Sequence, residues 1–299
     1  MQLKRSITDK GWNLAIFAAL LTASCSSKEE LTPDEVLLGM GGDTWPRTEL
    51  DDWLYQEFIR PYNMEVKYKW DPFEVNVQHN FIPVKEEYVK DFMMLLKKAW
   101  ILPYEKTGCI MFVKRLLPKR YILLGNVDYN GSTPTNAAYA EGGRTVVFFN
   151  VNDFRKGDID RLRRYVQTAM HEFTHIINQT IIYPTEWKLL TAQDYTGNWN
   201  STPDAEFPKM GFVSKYSRAS PTEDFADMVA YISTRGRAWF DEYVNSSAVG
   251  GDPGRSILRA KESIVVAYFK NQWNINFYET YPGAKDGLVD MIQEALKNL

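Results

Sequence analysis

Apolar residues at Leu50, Trp53, Leu54, Phe58 and Ile59 recur at three- and four-residue steps, predicting a helix over residues 50–60 that Pro61 ends. Residues 65–70 alternate polar and apolar, as a half-buried strand does. A broad apolar stripe over residues 84–102 predicts a second helix, opened by Pro83 and stopped before Pro103. Two short apolar runs, 121–124 and 145–149, predict strands. Leu162, Val166, Ala169, Phe173, Ile176 and Ile177 then keep helical spacing from a cap at Asp158 to about Gln179.

Residues 180–220 are rich in Asn, Gly, Thr and Pro, and predict irregular structure with a short helix, forming one wall of a cleft. A further helix is expected from Pro221–Thr222, burying Phe225, Met228, Val229 and Ile232, with two more over 256–273 and 286–299. Strands therefore concentrate before residue 158 and helices after it, which is an α+β signature.

The first residues carry a different message. Lys4, Arg5 and Lys10 precede an apolar core over 12–21 that is too short to span a bilayer, and Thr22-Ala23-Ser24 leads into Cys25. That order predicts a lipoprotein signal peptide over 1–24, with Cys25 left as an acylated first residue. An ordinary secretory signal is the alternative, and the placement of Cys25 at the expected cleavage point favours the lipid anchor. Residues 25–40 read as a polar tether, and 41–299 as the folded domain, with lobes at about 41–179 and 180–299. Ser26-Ser27-Lys28-Glu29-Glu30 resembles the acidic export signal of surface-displayed lipoproteins of the Bacteroidetes.

Composition narrows the class. A hydrophobic share of 44% and an aromatic share of 14% can fill a sizeable core. The net charge of −3 becomes more negative once the basic leader is removed, leaving no footprint for nucleic acid. With Cys25 lipidated, Cys109 stands alone in an apolar run, so no intrachain disulfide is expected.

The chemistry lies in His171-Glu172-Phe173-Thr174-His175. Two imidazoles one helical turn apart can share a metal ion, and the glutamate between them can act as general base toward water. A catalytic zinc needs three protein ligands and one open position. The chain has three histidines, and the remaining one, His79, reads as a surface-loop residue. Asn178 and Ile181 occupy the positions where an extended histidine motif would need Gly and His, so the third ligand is expected to be a carboxylate.

Glu223 is the choice, because Glu223-x-x-x-Asp227 sets two carboxylates one turn apart on the next helix. Asp227 can then accept the free ring N–H of a ligating histidine. The bland alternatives are two exposed histidines and a solvated acidic face. The apolar neighbours Phe225, Ala226, Met228, Val229 and Ala230 argue for a buried helix instead.

This pattern resembles the gluzincins, zinc hydrolases with two histidines and a downstream glutamate. The resemblance implies that Asp227 holds His171, and that the hydroxyl of Tyr216 stabilises the oxyanion; Tyr195 is the reserve candidate. A narrower resemblance, carried by residues 50–54, 60–68, 171–178 and 221–227, is to the substrate import-associated zinc metallohydrolase lipoproteins of the Bacteroidetes. It implies a zincin-like α+β fold with a mixed N-terminal lobe around a small sheet and a mainly helical C-terminal lobe. It also implies a Zn2+ cofactor and peptidase activity. The expected setting is the outer membrane, surface exposed, beside a TonB-dependent transporter and its surface lipoprotein.

The substrate is expected to be a peptide or glycopeptide, aligned along the 145–149 strand as the sheet edge, with Trp187 and Trp199 as possible groove residues. Two alternatives stand beside a peptidase: a non-catalytic nutrient-binding accessory lipoprotein, and a zinc amidase acting on glycopeptides.

Overall fold

The computed structural model describes residues 46–71, 80–108, 110–127, 129–130, 133–134, 138–141 and 144–299. The signal segment, Cys25, the tether, His79 and Cys109 lie outside the described residues.

Helix α1 covers residues 49–62. Thr48 and Asp51 cap it reciprocally, the Thr48 N–H donating to the Asp51 carboxylate at 2.8 Å. It does not end at Pro61, as the sequence predicted. Glu49–Leu54 is α-helical, Tyr55–Ile59 is a π turn, and Arg60–Tyr62 carries the helix through the proline to a left-handed Asn63. In a regular α-helix the proline ring collides with the carbonyl four residues back. Here the Arg60 N–H reaches the Tyr55 carbonyl five residues back, which widens the helix just before the ring.

Helix α2, residues 86–108, repeats the device. After Glu86–Leu96, a π turn at Lys97–Ile101 precedes Pro103, and the helix runs on to Gly108 rather than stopping at Leu102. A short helix, α3 (Ile110–Leu116), follows.

The main sheet has four strands in the order β1 (Glu65–Lys67), β2 (Arg120–Leu123), β6 (Thr145–Phe148), β5 (Ala138–Glu141). The first three run parallel, with Val66 opposite Tyr121 and Tyr121 opposite Val146. β5 pairs antiparallel to β6, Tyr139 opposite Val147. The small ribbon β3 (Tyr129–Asn130) and β4 (Thr133–Pro134) precedes it.

This order corrects one expectation. The 145–149 strand is internal, bonded on both sides, and among the described residues the edges are β1 and β5. Both faces of the sheet are covered. Tyr121, Leu123, Val146 and Phe148 join the main core, whereas the alternate residues Ile122, Leu124, Val147 and Phe149 pack in a small cluster with Phe81.

Helices dominate the rest: α4 (Ile159–Thr180), α5 (Thr185–Leu190), α6 (Pro221–Arg235), α7 (Arg237–Val244), α8 (Asp252–Trp273) and α9 (Leu288–Lys297). Asp158 caps α4 by accepting from the Arg161 N–H at 3.0 Å. Arg47–Leu299 is one compact unit. No helix among the described residues is long and apolar enough to cross a membrane.

The core explains why α4 and α6 hold fixed positions. Phe173 lies two residues after His171, hence about 200° around the helix and away from the imidazole. It packs among Trp100, Tyr104 and Phe112, with centroids 5.6, 5.0 and 6.0 Å away. Phe225, two residues after Glu223, packs in the same way against Tyr183, Trp187 and Tyr268 at 5.1, 4.8 and 5.1 Å. Each helix therefore buries an aromatic anchor on one side and presents a polar ligand on the other.

Candidate metal centre

Helices α4 and α6 pack antiparallel, bringing His171 and His175 against Glu223. One carboxylate oxygen, Oε2 of Glu223, lies 2.9 Å from Nε2 of His171 and 3.2 Å from Nε2 of His175. The two ring nitrogens are 3.1 Å apart. Two donor atoms each about 2.0–2.1 Å from a tetrahedral zinc lie roughly 3.3 Å apart, so this triangle fits the ion with little adjustment. It forms the group of possible ligands found among the described residues.

Glu223 occupies the third position of α6, and its N–H donates to the Ser220 cap at 3.2 Å. A glutamate there ordinarily reaches back to the cap; this one turns to both imidazoles. The positive end of the helix dipole favours its charge.

The electrostatics ask for a cation. Burial disfavours a charged His171, yet its hydrogen bonds to Asp227 and Glu223 outweigh that and lift its pKa to about 10. Burial likewise disfavours an ionised Glu223, but the two histidines hold its carboxyl well below the usual carboxylate range. The charge of Glu172 adds to the pull on His171. The Glu223 carboxylate thus meets both Nε2 atoms at one point, with Asp227 on the far side of His171 and the charge of Glu172 acting on that ring. A divalent ion there would balance this negative charge with both rings neutral.

Behind the ligands, Oδ1 of Asp227 lies 2.8 Å from Nδ1 of His171, leaving Nε2 toward the metal position. The far oxygen of Asp227 accepts from Ser217 Oγ at 3.0 Å and from Ser214 Oγ. Neither serine stands out in the sequence, where nothing distinguishes them from other serines in a polar loop.

Tyr216, between those serines, sits with its ring centroid 5.9 Å from that of His171. Burial, the charge of Glu223 and a hydrogen bond to it raise the phenol far above its ordinary value, so it stays protonated. Trp199 meets Tyr216 edge-on at 5.0 Å. Arg218 ties down the loop that carries this tryptophan, its Nε donating to the Asp194 carbonyl at 2.9 Å and its Nη1 to Thr202.

Two other residues lie elsewhere. Trp187 is wholly buried, its Nε1 donating to the Pro221 carbonyl at 3.0 Å, so it is core rather than groove. Tyr195, the reserve candidate, donates to Asp224 at 2.8 Å. Asp224 in turn pairs with Lys261 at 2.7 Å, and the ammonium also donates to the Gly211 carbonyl at 2.9 Å. Burial opposes both charges, raising Asp224 and lowering Lys261. This pair braces α6 against α8 and the backbone at Gly211.

The arrangement defines a class: a mixed α/β protein whose central helix offers two histidines and a glutamate, completed by a carboxylate from the next helix. The chain belongs to the family described as "putative zinc-binding metallo-peptidase", whose model matches residues 43–278. A crystal structure described in the same words, from Bacteroides caccae, is similar to it with a TM-score of 0.68 at 24% identity, covering 86% of this chain and 95% of that one. That likeness shows the shared fold. A search of curated proteins gives no match. The family is zinc-binding, and His171, His175 and Glu223 are grouped to hold the ion.

Proposed function

We propose that this chain is an exported zinc metallopeptidase that cuts peptide bonds of extracellular or periplasmic peptides and proteins within a nutrient-uptake system. The observation that carries the reading is the convergence of three ligand atoms on one point, with the Tyr216 ring against His171 and Glu172 on the same helix between the two histidines. Zinc held there supplies Lewis acidity toward the scissile carbonyl and lowers the pKa of water to about 7.

The chain's own residues do the rest. Glu172 takes the proton of the attacking water and returns it to the leaving nitrogen. Tyr216 donates its hydroxyl proton in a hydrogen bond to the oxyanion. Asp227 fixes the orientation of His171. An extended substrate would pair with the outer side of β5, the edge strand next to α4.

The Cys25 sequence context and the acidic residues after it support a lipid-anchored protein at the outer-membrane surface, beside a TonB-dependent transporter and its surface lipoprotein. Mass spectrometry of the membrane fraction should find an acylated Cys25; an unmodified, soluble chain contradicts the anchor.

Activity is tested with the zinc-loaded chain on a mixture of peptides and glycopeptides. Wild type should cleave peptides and lose activity to chelator, and Glu172→Gln should keep zinc while losing turnover. Zinc with no chelator-sensitive cleavage would point to a nutrient-binding accessory protein. Products confined to glycopeptides would point to an amidase. Unchanged turnover in Glu172→Gln removes the assigned base.

A further inference from the structure

We propose that Ser214 and Ser217 are positioning residues of the metal centre, which hold Asp227, and through it the His171 ring, in the orientation that zinc requires. The inference rests on the zinc site, not on the hydrolytic reading.

Hydrogen-bond accounting leads to it. An ionised carboxylate only accepts, and a serine hydroxyl has one proton to give. The hydroxyl of Ser217 gives its proton to the far oxygen of Asp227 at 3.0 Å, and Ser214 gives its proton to the same oxygen. The Ser214 oxygen meanwhile accepts the Ser217 backbone N–H at 3.0 Å, which closes the turn on itself. The two hydroxyl oxygens lie 3.0 Å apart because both address one acceptor.

All three side chains are screened from water: Ser217 is 0% exposed, Asp227 6% and Ser214 9%. With one oxygen gripped in this way, the other has a single direction open to it, toward Nδ1 of His171 at 2.8 Å. The ring then donates from Nδ1 and keeps the Nε2 lone pair for the metal.

The same turn carries Tyr216 between the two serines. Their inward-facing hydroxyls anchor its backbone on both sides, which fixes the phenol above His171. One four-residue stretch therefore sets both the histidine's orientation and the position of Tyr216. Neither serine is placed to touch metal or substrate.

The test measures zinc affinity by chelator competition on the full chain, which needs no turnover. Ser214→Ala with Ser217→Ala should weaken zinc binding about 10- to 100-fold. Because the serines act through Asp227, the same pair of substitutions should add no further loss in an Asp227→Ala background. Ser214→Thr, which keeps a hydroxyl, should restore affinity relative to Ser214→Ala.

A folded double variant with unchanged zinc affinity overturns the proposal. So does an equal further loss in the Asp227→Ala background, since the serines would then act on general stability. Should the double variant not fold, Ser214→Ala alone, at the less buried position, carries the comparison. It should lose roughly threefold or more in affinity, and no change overturns the proposal.

Discussion

Replacing Tyr216 with phenylalanine removes one hydroxyl and, with it, a hydrogen bond to Glu223. The ring keeps its edge-on contact with Trp199 at 5.0 Å and its place 5.9 Å from His171, and zinc supplied at saturation keeps the site loaded despite the lost bond to Glu223. What goes is a donor that burial and the neighbouring Glu223 charge keep protonated at every working pH. Loss of one such donor to a developing oxyanion costs about 100- to 1000-fold in kcat, or about 2.7–4 kcal/mol of transition-state stabilisation. KM should change little, because the hydroxyl matters most where charge develops. The assay compares kcat and KM of zinc-loaded wild type and variant on one peptide, with zinc per chain measured in each sample. A kcat within about threefold of wild type, at full zinc content, refutes the role given to Tyr216. Loss of zinc along with activity refutes it too, since the phenol would then be serving the metal rather than the oxyanion.

Lys261→Met leaves Asp224 buried without its counter-charge; the two are 0% and 1% exposed. Urea unfolding should show a loss of about 3–5 kcal/mol, partly recovered when Asp224→Asn is added, and a cost below about 1 kcal/mol contradicts the bracing role. Acid acts on a different carboxylate. Burial pushes Asp51 upward, but Lys69, the Thr48 amide and Tyr68 outweigh it and hold the carboxyl at about 2 rather than 3.8. Its contribution is therefore complete above about pH 5 and fades as pH falls toward 2. The metal-free protein should lose stability more steeply through that window than metal-free Asp51→Asn, and identical slopes would remove Asp51 from the account.

Much of the frame was readable from residue order, for identifiable reasons. Helix α4 announces itself by its apolar stripe and by Asp158, and α6 by Pro221–Thr222 ahead of a buried run, because start signals and periodicity are local properties. Histidines four residues apart on such a helix must face the same way, and the structure brings them to Glu223.

What escaped depends on non-local or atypical geometry. Pro61 and Pro103 read as helix ends because a 3.6-residue period carries no trace of the π turns that let the helices pass. The edge strand β5 has the sequence Ala-Tyr-Ala-Glu, too short and too rich in alanine to stand out, so its neighbour β6 took its place as the expected edge. Helix α7 follows Gly236 directly after α6, and its start is set by a backbone φ of 90° rather than by a side-chain cap. Ser214 and Ser217 gain meaning only when α6 carries Asp227 against them.

The most direct measurement is the anomalous scattering of zinc in crystals of the full chain, with zinc per chain measured in solution. One ion should appear between Nε2 of His171, Nε2 of His175 and Oε2 of Glu223, and zinc content should collapse in His175→Ala. A chain that stays empty at saturating zinc, or an ion coordinated without Glu223, contradicts the metal centre on which the proposed activity depends.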